Sequence, residues 1–237
     1  MNDQNKTSPL TLPPPSVVHI LTWNPKIEKI PDSAIEQTIM DLENGSTILR
    51  SWNVGRHTNN FLQGNLVYLL RQGTDRKGII AQGKLTSSAY KDTFRKDPNK
   101  QSNFVDYELI KIVPVDDRLP FEVLENHPFN GINWNKHFRE SGTTLKGSNA
   151  QALNLLWDTH LKWPRSKCPS CGDYSVVEIV YGMPGPDLMD AEAEGLVILA
   201  GCIMDDLAPG SGCVSCGWQE EVQINESSET YASELEL

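Results

Sequence analysis

Two matched pairs of cysteines near the C-terminal end constrain the fold of this 237-residue chain more than any other feature. Cys168 is paired in sequence with Cys171, and Cys213 with Cys216; each Cys-x-x-Cys unit is followed at once by a glycine. Glycine adopts the positive φ that such a tight turn requires, so four thiolates can converge on one ion. Four thiolates in a tetrahedral array select zinc or iron, and zinc is the common structural choice. We therefore expect one structural Zn²⁺ at these cysteines, with no open coordination position for catalysis.

Two disulfides, four free thiols or a single redox-active pair are the alternative interpretations of these cysteines. The duplication favours a metal, because a redox pair needs no second copy. The first sixteen residues, MNDQNKTSPLTLPPPS, contain no basic segment followed by an apolar one, so no secretory signal is expected. We therefore expect a cytoplasmic, reducing environment, in which such pairs bind metal more often than they form disulfides. Cys202 lies in a predicted strand and is expected to be a small, buried apolar residue.

The charge balance of the chain changes near Leu161. The net charge is −10, but residues 19–160 contain 17 basic and 16 acidic residues, whereas residues 161–237 contain 3 and 14. Only the first part can approach a polyanion without repulsion, and the acidic second part suits a protein partner. The composition predicts four segments: a disordered tail at 1–16, a first domain at 17–161, a second domain at 162–218 and a disordered acidic tail at 219–237.

Short strands separated by turn signals dominate the first domain. Strands are predicted at 17–23, 46–52, 64–73, 78–85 and 105–115, the third and fourth forming a hairpin. Helices are predicted near 31–45, 120–125 and 148–160. A doubly wound parallel sheet would need helices between most strands. The pattern therefore predicts an α+β fold, a small and mostly antiparallel β-barrel with short flanking helices.

Three further features of this domain each predict a local structure. Residues 91–103 are rich in charge and are predicted to form a loop. Gly83, inside a strand, indicates a bulge or a close backbone approach. Trp157 lies on the apolar face of the last helix and is assigned to the core.

Tryptophans beside amide and basic side chains follow two of the predicted strands. Trp23-Asn24-Pro25 ends the first strand, and the run from Trp52 to His57 ends the second. Trp134 with Ser141-Gly142 is a third group of this kind. Tryptophan faces stack on a nucleic-acid base while nearby amides bind its edge, as when a flipped base is held. A tryptophan at a strand end is also a common core residue, so the residues alone leave both interpretations open.

The order of these motifs resembles the EVE domain of the PUA-like barrel superfamily, over about residues 17–160. The resemblance depends most on WNPKI (23–27), SWNVG (51–55) and LLRQGTDRKGIIAQGKL (69–85). The form found beside HNH nucleases in modification-dependent restriction is the one that the chain resembles. It implies a non-catalytic reader of a methylated or hydroxymethylated cytosine, in DNA rather than RNA. Together with the residue pattern, it leads us to expect base contacts at Trp23, Asn24, Trp52, Asn53, Gly55, His57, Gln72 and Gln82.

Five basic residues near these motifs are candidate contacts to a phosphate backbone: Arg56, Arg71, Arg76, Lys77 and Lys84. No nuclease motif accompanies them, because the five histidines are scattered without metal-ligand spacing. Any cleavage in a defence function is therefore expected from a nuclease partner in trans. The alternatives are an enzyme that uses His57 and Asp106 on a small nucleotide or nucleobase, an RNA-binding module, or a purely structural scaffold.

Residues 167–218 resemble the zinc-ribbon family. CPSCG begins this segment, VVEIVYG follows as a strand, and a second strand ends in Gly201-Cys202 before CVSCG. The resemblance implies a zinc-stabilised mini-domain fused to the first domain, and it names no ligand besides the metal.

Overall fold

The computed structural model describes residues 16–58, 60–73, 75–94, 97–138, 140–202 and 207–221. The chain divides after Asp158 into two compact units, which we call the first unit and the second unit. No helix among the described residues is long and apolar enough to span a membrane.

The first unit combines strands and helices in one α+β fold. Its strands are β1 (Val17–Trp23), β2 (Leu49–Gly55), β3 (Leu66–Arg71), β4 (Gly78–Leu85), β5 (Tyr90–Phe94), β6 (Asp97–Ile112), β7 (Leu119–Pro120) and β8 (Thr143–Lys146). Its helices are α1 (Asp32–Glu43), α2 (Phe121–Asn126), α3 (Trp134–His137) and α4 (Ser148–Lys162), of which the last continues past the division. The predicted fold class and the helices near 31–45, 120–125 and 148–160 are confirmed.

The strands of the first unit form a single curled sheet. The order is β2-β6-β4-β3-β1-β8, with β5 paired to β6 and β7 to β4. The β1–β3 pair is parallel, and the other pairs are antiparallel. β2 and β8 are the two ends of this order, yet a Cβ on Gly142, just before β8, would lie 3.1 Å from Cβ of Val54 in β2. The sheet therefore curls until its ends meet without a hydrogen-bonded ladder among the described residues, and the barrel is open along this line.

The strands at the centre of the sheet bury side chains on both faces. One face holds an apolar cluster, which we call the inner core; it includes Leu21, Ile35, Val54, Val67, Leu69, Ile80, Leu85, Val105, Tyr107 and Leu109. On the other face, Tyr68 of β3 meets Trp157 of α4 edge to face, with ring centroids 6.0 Å apart. Trp157 has no exposed surface, so its assignment to the core is confirmed.

Gly83 is required because two strands approach closely at this residue. The register between β4 and β6 shifts between Gln82 and Gly83. A Cβ on Gly83 would lie 2.5 Å from Cδ2 of Tyr107 and 2.8 Å from the carbonyl oxygen of Glu108. The predicted bulge and close approach are both confirmed.

The predicted charged loop at 91–103 is wrong, because β5 and the start of β6 form a hairpin there. Lys91 is opposite Asn103, and Thr93 is opposite Gln101. At the base of the hairpin the rings of Tyr90 and Phe104 lie 6.4 Å apart. Because lysines and other polar residues are tolerated on edge strands, the composition of this segment hid its strand character.

The second unit contains a small sheet and one helix. Its strands are β9 (Ser166–Lys167), β10 (Tyr174–Tyr181), β11 (Ile198–Ala200) and β12 (Ser211–Cys213), and α5 covers Pro186–Ala193. The order is β11-β10-β12, with β9 also paired to β10. β10 and β11 run parallel, so a crossover connection is needed, and α5 lies in it.

One prediction for this unit is wrong, and another lies mainly outside the described residues. Cys202 was expected to be a buried strand residue, and this is wrong: it lies beyond β11 and is exposed, because the strand ends at Ala200. The predicted disordered tail falls mainly on residues 222–237, which lie outside the described residues.

Candidate metal centre and candidate nucleic-acid interface

The four cysteines of the paired motifs form one cluster in the second unit. Their sulfur atoms all lie within 4.8 Å of one another. The Sγ atoms of Cys168 and Cys216 are 3.7 Å apart, as are those of Cys171 and Cys213. A disulfide requires about 2.05 Å, whereas a tetrahedral site with Zn–S bonds of about 2.3 Å separates its sulfurs by roughly 3.8 Å. The cysteines therefore do not form disulfides, and their spacing is one in which they could bind a single tetrahedral metal ion.

The two cysteine turns have the same backbone hydrogen bonds. The N–H of Gly172 donates to the carbonyl oxygen of Cys168 at 3.0 Å, and that of Gly217 donates to Cys213 at 2.9 Å. Both glycines have positive φ, 82° and 77°. The first cysteine of each turn also donates its N–H to the carbonyl oxygen five residues later, at 2.7 Å in both cases. The duplicated sequence therefore gives a duplicated structure, with two ligands from each turn.

Ser175 contacts one of the four cysteines of this candidate metal centre. Its Oγ lies 3.0 Å from Sγ of Cys213, and both residues are buried. Hydrogen bonding by the Ser175 hydroxyl lowers the pKa of the Cys213 thiol to about 6. Because the thiolate is the form that binds a metal, this contact favours binding at neutral pH.

The first tryptophan motif of the first unit builds a turn. Trp23 is only 2% exposed, its Nε1 donates to the carbonyl oxygen of Glu28 at 2.7 Å, and the Arg71 guanidinium lies 5.6 Å from its ring centroid. Asn24 accepts the N–H of Lys26 through its side chain at 3.0 Å. Trp23 therefore belongs to the core and offers no free ring face to a base, while Asn24 stabilises the turn after β1.

The second tryptophan motif divides between the two faces of β2. Trp52 is partly exposed and packs against the inner core. Asn53 points to the opposite face, where its Oδ1 accepts from the N–H of Gly55 at 2.9 Å and from Oγ of Ser102 at 3.2 Å. The structure therefore does not bring the Trp52 ring and the Asn53 amide together. The buried Nδ2 of Asn53 has no hydrogen-bond partner.

A charged cluster lies where the two ends of the sheet meet. Glu140 forms an ion pair with Arg56 at 2.8 Å and lies 3.7 Å from Nε2 of His57. A Cβ on Gly142 would lie 3.1 Å from Cβ of His57. The N–H of Thr22 in β1 donates to Oγ of Ser141 at 3.1 Å. The structure thus places the run that follows Trp52 beside Ser141-Gly142, which lies more than 80 residues later in the chain.

The two glutamines of the β3–β4 hairpin are bound within the protein. Nε2 of Gln72 donates to the carbonyl oxygen of Phe138 at 2.6 Å, and Nε2 of Gln82 donates to the hydroxyl of Tyr68 at 2.8 Å. The backbone at Gly78 approaches the carbonyl oxygen of Leu119 so closely that a Cβ would lie 2.2 Å from it. The close approaches on this hairpin are thus to neighbouring strands.

The five basic residues predicted to contact phosphate have different environments. Arg71 is 5% exposed and donates to the carbonyl oxygens of Asp75 and Arg76, so the structure does not support it as a phosphate contact. Arg76 lies within 4 Å of three carboxylates, those of Asp32, Asp75 and Asp116. Lys77 lies over the ring of Phe121, with Nζ 3.1 Å from the ring centroid. Only Arg56 and Lys84 of the five are clearly exposed.

The sequence analysis missed a buried polar network on the α4 face of the sheet. Tyr68 donates its hydroxyl to Oδ1 of Asn154 at 2.7 Å, and burial raises the pKa of this phenol. A tyrosine at the centre of the apolar run LVYLL was the available signal, because a buried hydroxyl needs a partner.

His19 is a second buried polar residue that the pattern did not explain. Its Nδ1 lies 3.0 Å from Oγ1 of Thr144, and its ring stacks on Phe61 at 4.4 Å. Burial lowers the pKa of His19 below 6.5, so the imidazole is neutral in the folded protein at neutral pH. His57 and Asp106, the pair of the enzyme alternative, have separate partners: Glu140 for His57 and the Tyr90 hydroxyl for Asp106, at 2.8 Å.

Comparison with known proteins gives weak structural similarities. No protein-family model and no curated protein matches the chain. A hypothetical protein from Leishmania major is similar at 14% identity and TM-score 0.42, over 61% of this chain and 97% of that one. Human THYN1, solved in complex with DNA containing 5-methylcytosine, is similar at 15% identity and TM-score 0.41, over 60% of this chain and 98% of that one. A Pseudomonas syringae protein follows at 12% identity and TM-score 0.37, over 59% and 97%. These similarities assign no role to a residue, so the roles proposed below depend on the contacts of this chain.

Proposed function

We propose that the first unit is a non-catalytic reader that holds one modified base of a nucleic acid beside Trp52. The observation that carries the proposal is the position of Trp52: it is partly exposed on the inner face of β2, at the line where the sheet stays open. A ring that the core already holds in place loses little conformational freedom on stacking with a base. Because β2 is an end strand of the sheet, no further hydrogen-bonded strand covers its outer edge among the described residues.

Polar groups for the edge of a base lie on the same line. The side chain of His57 is 42% exposed, and its ring nitrogens can donate or accept a hydrogen bond. Arg56 is 83% exposed and can leave Glu140 for a phosphate at little cost, since exposed ion pairs contribute about 0–1 kcal/mol. Trp52, Arg56 and His57 are therefore the residues that we propose to bind the nucleotide, and Trp23 is not one of them.

The resemblance to the EVE domain supports a more specific proposal for which modified base is bound. We infer a methylated or hydroxymethylated cytosine in DNA, with a nuclease in trans if the chain acts in defence. The human protein of similar fold was solved with 5-methylcytosine DNA. That ligand belongs to that protein, and the proposal for this chain rests on Trp52 and the open edge.

The test is binding of the full chain to duplexes that differ only in one cytosine: plain, 5-methylated or 5-hydroxymethylated. Base–aromatic stacking contributes about 1–3 kcal/mol, so Trp52→Ala should weaken binding to the preferred duplex by about five- to 150-fold. Trp52→Phe should retain much of the affinity. Leu49→Ala, on the opposite face of the same strand and 61% exposed, is the matched control and should bind as the wild type does. A folded Trp52→Ala variant that binds every duplex as tightly as the wild type would contradict the proposal.

We also propose that the metal of the second unit is Zn²⁺ and that the acidic part of the chain docks a protein partner. The four sulfurs have the spacing and donor type of a closed structural zinc site. Metal analysis of reduced protein should give one equivalent of zinc, lost in Cys171→Ser. Cys202→Ser is the matched control, since Cys202 is exposed and lies outside the cluster. Less than half an equivalent in the wild type, or full metal in Cys171→Ser, would contradict this assignment.

A further inference from the structure

The carboxylate of Glu140 lies where the two ends of the sheet meet, and the proposed function does not use it. Its Oε1 is 2.8 Å from the Arg56 guanidinium, whereas its Oε2 is 3.7 Å from Nε2 of His57. A separation of 3.7 Å is too long for a hydrogen bond, and Oε2 accepts none from the other described residues. The side chain is 56% exposed. One carboxylate oxygen is therefore open to a ligand, with a ring nitrogen of His57 beside it.

The segment that carries Glu140 is fixed to β1 by hydrogen bonds. The N–H of Gly142 donates to the carbonyl oxygen of Ile20 at 2.8 Å. The N–H of Thr22 donates to Oγ of Ser141 at 3.1 Å. A binding group on a backbone that is already held in place loses little conformational freedom when it contacts a ligand.

Glu140 is close to the strand position that follows Trp52 on the same face of β2. Trp52 and Val54 both pack in the inner core, about 7 Å apart along the strand. A Cβ on Gly142, two residues after Glu140, would lie 3.1 Å from Cβ of Val54 and 3.1 Å from Cβ of His57. A base stacked on Trp52 would therefore have Glu140 and His57 near one of its edges.

Glu140 and His57 together offer an acceptor beside a donor. An ionised carboxylate only accepts hydrogen bonds, and a neutral imidazole can donate from Nε2. A flipped base is bound by hydrogen bonds to its Watson–Crick edge, where cytosine has a 4-amino donor beside the N3 acceptor. Thymine has the reverse order, a 4-oxo acceptor beside the N3–H donor. The two groups therefore match cytosine, whose amino group is a known partner of glutamate, and they oppose thymine.

We propose that Glu140 accepts a hydrogen bond from the 4-amino group of the bound base and that His57 donates one to its N3, so that the site takes cytosines and rejects thymine. The inference rests on the proposed function and names the two contacts that set its base specificity. Arg56 can exchange Glu140 for a phosphate as the base enters, because their ion pair is exposed. Trp52 supplies stacking, which every base accepts, and Glu140 supplies the choice between bases.

The experiment compares binding of the full chain to two duplexes that have either 5-methylcytosine or thymine opposite a cytosine. The target base is mispaired in both duplexes and has the same 5-methyl group, so the two differ at the Watson–Crick edge. The wild type should bind the 5-methylcytosine duplex about five- to 150-fold more tightly. Glu140→Gln should bind the two duplexes about equally, because an amide can turn either its oxygen or its amino group toward the base.

Glu108→Gln is the matched control, since it removes the same charge from an exposed residue. Glu108 lies opposite Leu49 in the β2–β6 pair, on the face of the sheet away from Trp52. This variant should keep the wild-type ratio of 5-methylcytosine to thymine binding. Replacement of an exposed glutamate changes stability little, so both variants should remain folded, and urea unfolding checks this.

Three results would overturn the inference. Equal binding of the two duplexes by the wild type would show that the site does not distinguish their edges. An unchanged ratio in Glu140→Gln would show that the carboxylate does not contact the base. Tighter binding of both duplexes by this variant, with the ratio unchanged, would assign Glu140 to holding Arg56 away from phosphates instead.

The two proposals fail differently. If Trp52→Ala weakens binding to both duplexes while Glu140→Gln keeps the wild-type ratio, only the role of Glu140 is wrong. If the wild type binds neither duplex, or Trp52→Ala binds both as the wild type does, the proposed function fails and the role of Glu140 fails with it.

Discussion

The two units of the chain differ in what stabilises each of them internally. The first unit has an inner core of large apolar side chains and a second buried layer around Tyr68 and Trp157. The second unit has a cluster of Cys168, Val176 and Cys213, against which Trp218 packs, and four sulfurs that converge on one point. We expect a small unit of this kind to gain its stability from a bound metal ion, whereas the first unit gains it from burial. One chain therefore combines a unit built on a large apolar core with a small unit built around four convergent cysteines.

Removal of the metal should have the largest effect, and it should be confined to the second unit. Structural zinc sites contribute about 10–16 kcal/mol at pH 7, so a strong chelator should unfold β10 and β12. Hydrogen exchange measured by mass spectrometry before and after chelation should show loss of protection in peptides from these strands. Peptides from β3 and β4 should keep theirs.

Either of two exchange patterns would contradict this difference between the two units. Protection of β10 that survives removal of the metal would show that the second unit has a sufficient core of its own. Loss of protection in β3 and β4 would show that the first unit depends on the metal as well.

Truncation of the buried tryptophan of α4 should have the next largest effect, now on the first unit. Trp157→Ala removes a fully buried ring and should cost about 3–5 kcal/mol in the free energy of unfolding. Leu155→Ala, two residues away on the same helix and 69% exposed, should change it by less than about 0.5 kcal/mol. Urea unfolding of both variants measures the difference. Similar stabilities for the two variants would mean that α4 does not complete the core.

The same contrast explains which parts of the fold the sequence predicted. The strands β1, β3 and β4 are near-continuous apolar runs bounded by turn residues, and the cysteine turns are complete within five residues each. These signals are local and were interpreted correctly. The β5–β6 hairpin was missed because it is stabilised by pairing between its own two strands and by the Tyr90–Phe104 contact at its base, neither of which a charged sequence reveals.

The candidate site was harder to predict because burial depends on distant residues. Trp23 and Trp52 both end predicted strands and both precede asparagine, and nothing local distinguishes them. In the structure Arg71 and the carbonyl oxygen of Glu28 enclose Trp23, whereas Trp52 lies at the open end of the sheet. Arg71 was likewise expected on the surface, and its burial follows from the turn at 75–76 that wraps around its guanidinium.

Loss of the Ser175 hydroxyl should have a smaller effect on the second unit. Groups that hydrogen-bond to metal ligands typically contribute about 10- to 100-fold in metal affinity. Ser175→Ala should therefore weaken zinc binding by about tenfold, as measured by competition with a chromophoric chelator, and the protein should still fold in excess zinc. Unchanged affinity would mean that the contact with Cys213 contributes only to packing.

A lower pH should modestly decrease the free energy of unfolding of the first unit, because His19 is buried there. Burial keeps the pKa of His19 below its ordinary value of 6.5 in the folded state, so the unfolded chain binds the proton first as the pH falls. The free energy of unfolding should therefore be unaffected by this group above about pH 7 and should decrease below about pH 6.5, by at most 1.4 kcal/mol per pH unit. His19→Gln should lose this part of the pH dependence, while the acid response of the second unit stays common to both proteins. Parallel pH profiles for the wild type and the variant would contradict the buried, neutral imidazole.

Base pairing of the target cytosine offers the most direct test that the first unit takes a base out of a duplex. Extrusion of a base costs a few kcal/mol and costs least when the base is mispaired. The full chain should therefore bind a duplex in which 5-methylcytosine is mispaired with adenine about tenfold or more tightly than the same duplex with guanine opposite. Trp52→Ala should lose affinity for both duplexes. Equal affinity of the wild type for the paired and the mispaired duplex would contradict the proposal that the base leaves the duplex. A protein that leaves the base in the stack gains no affinity when the base pair is weakened.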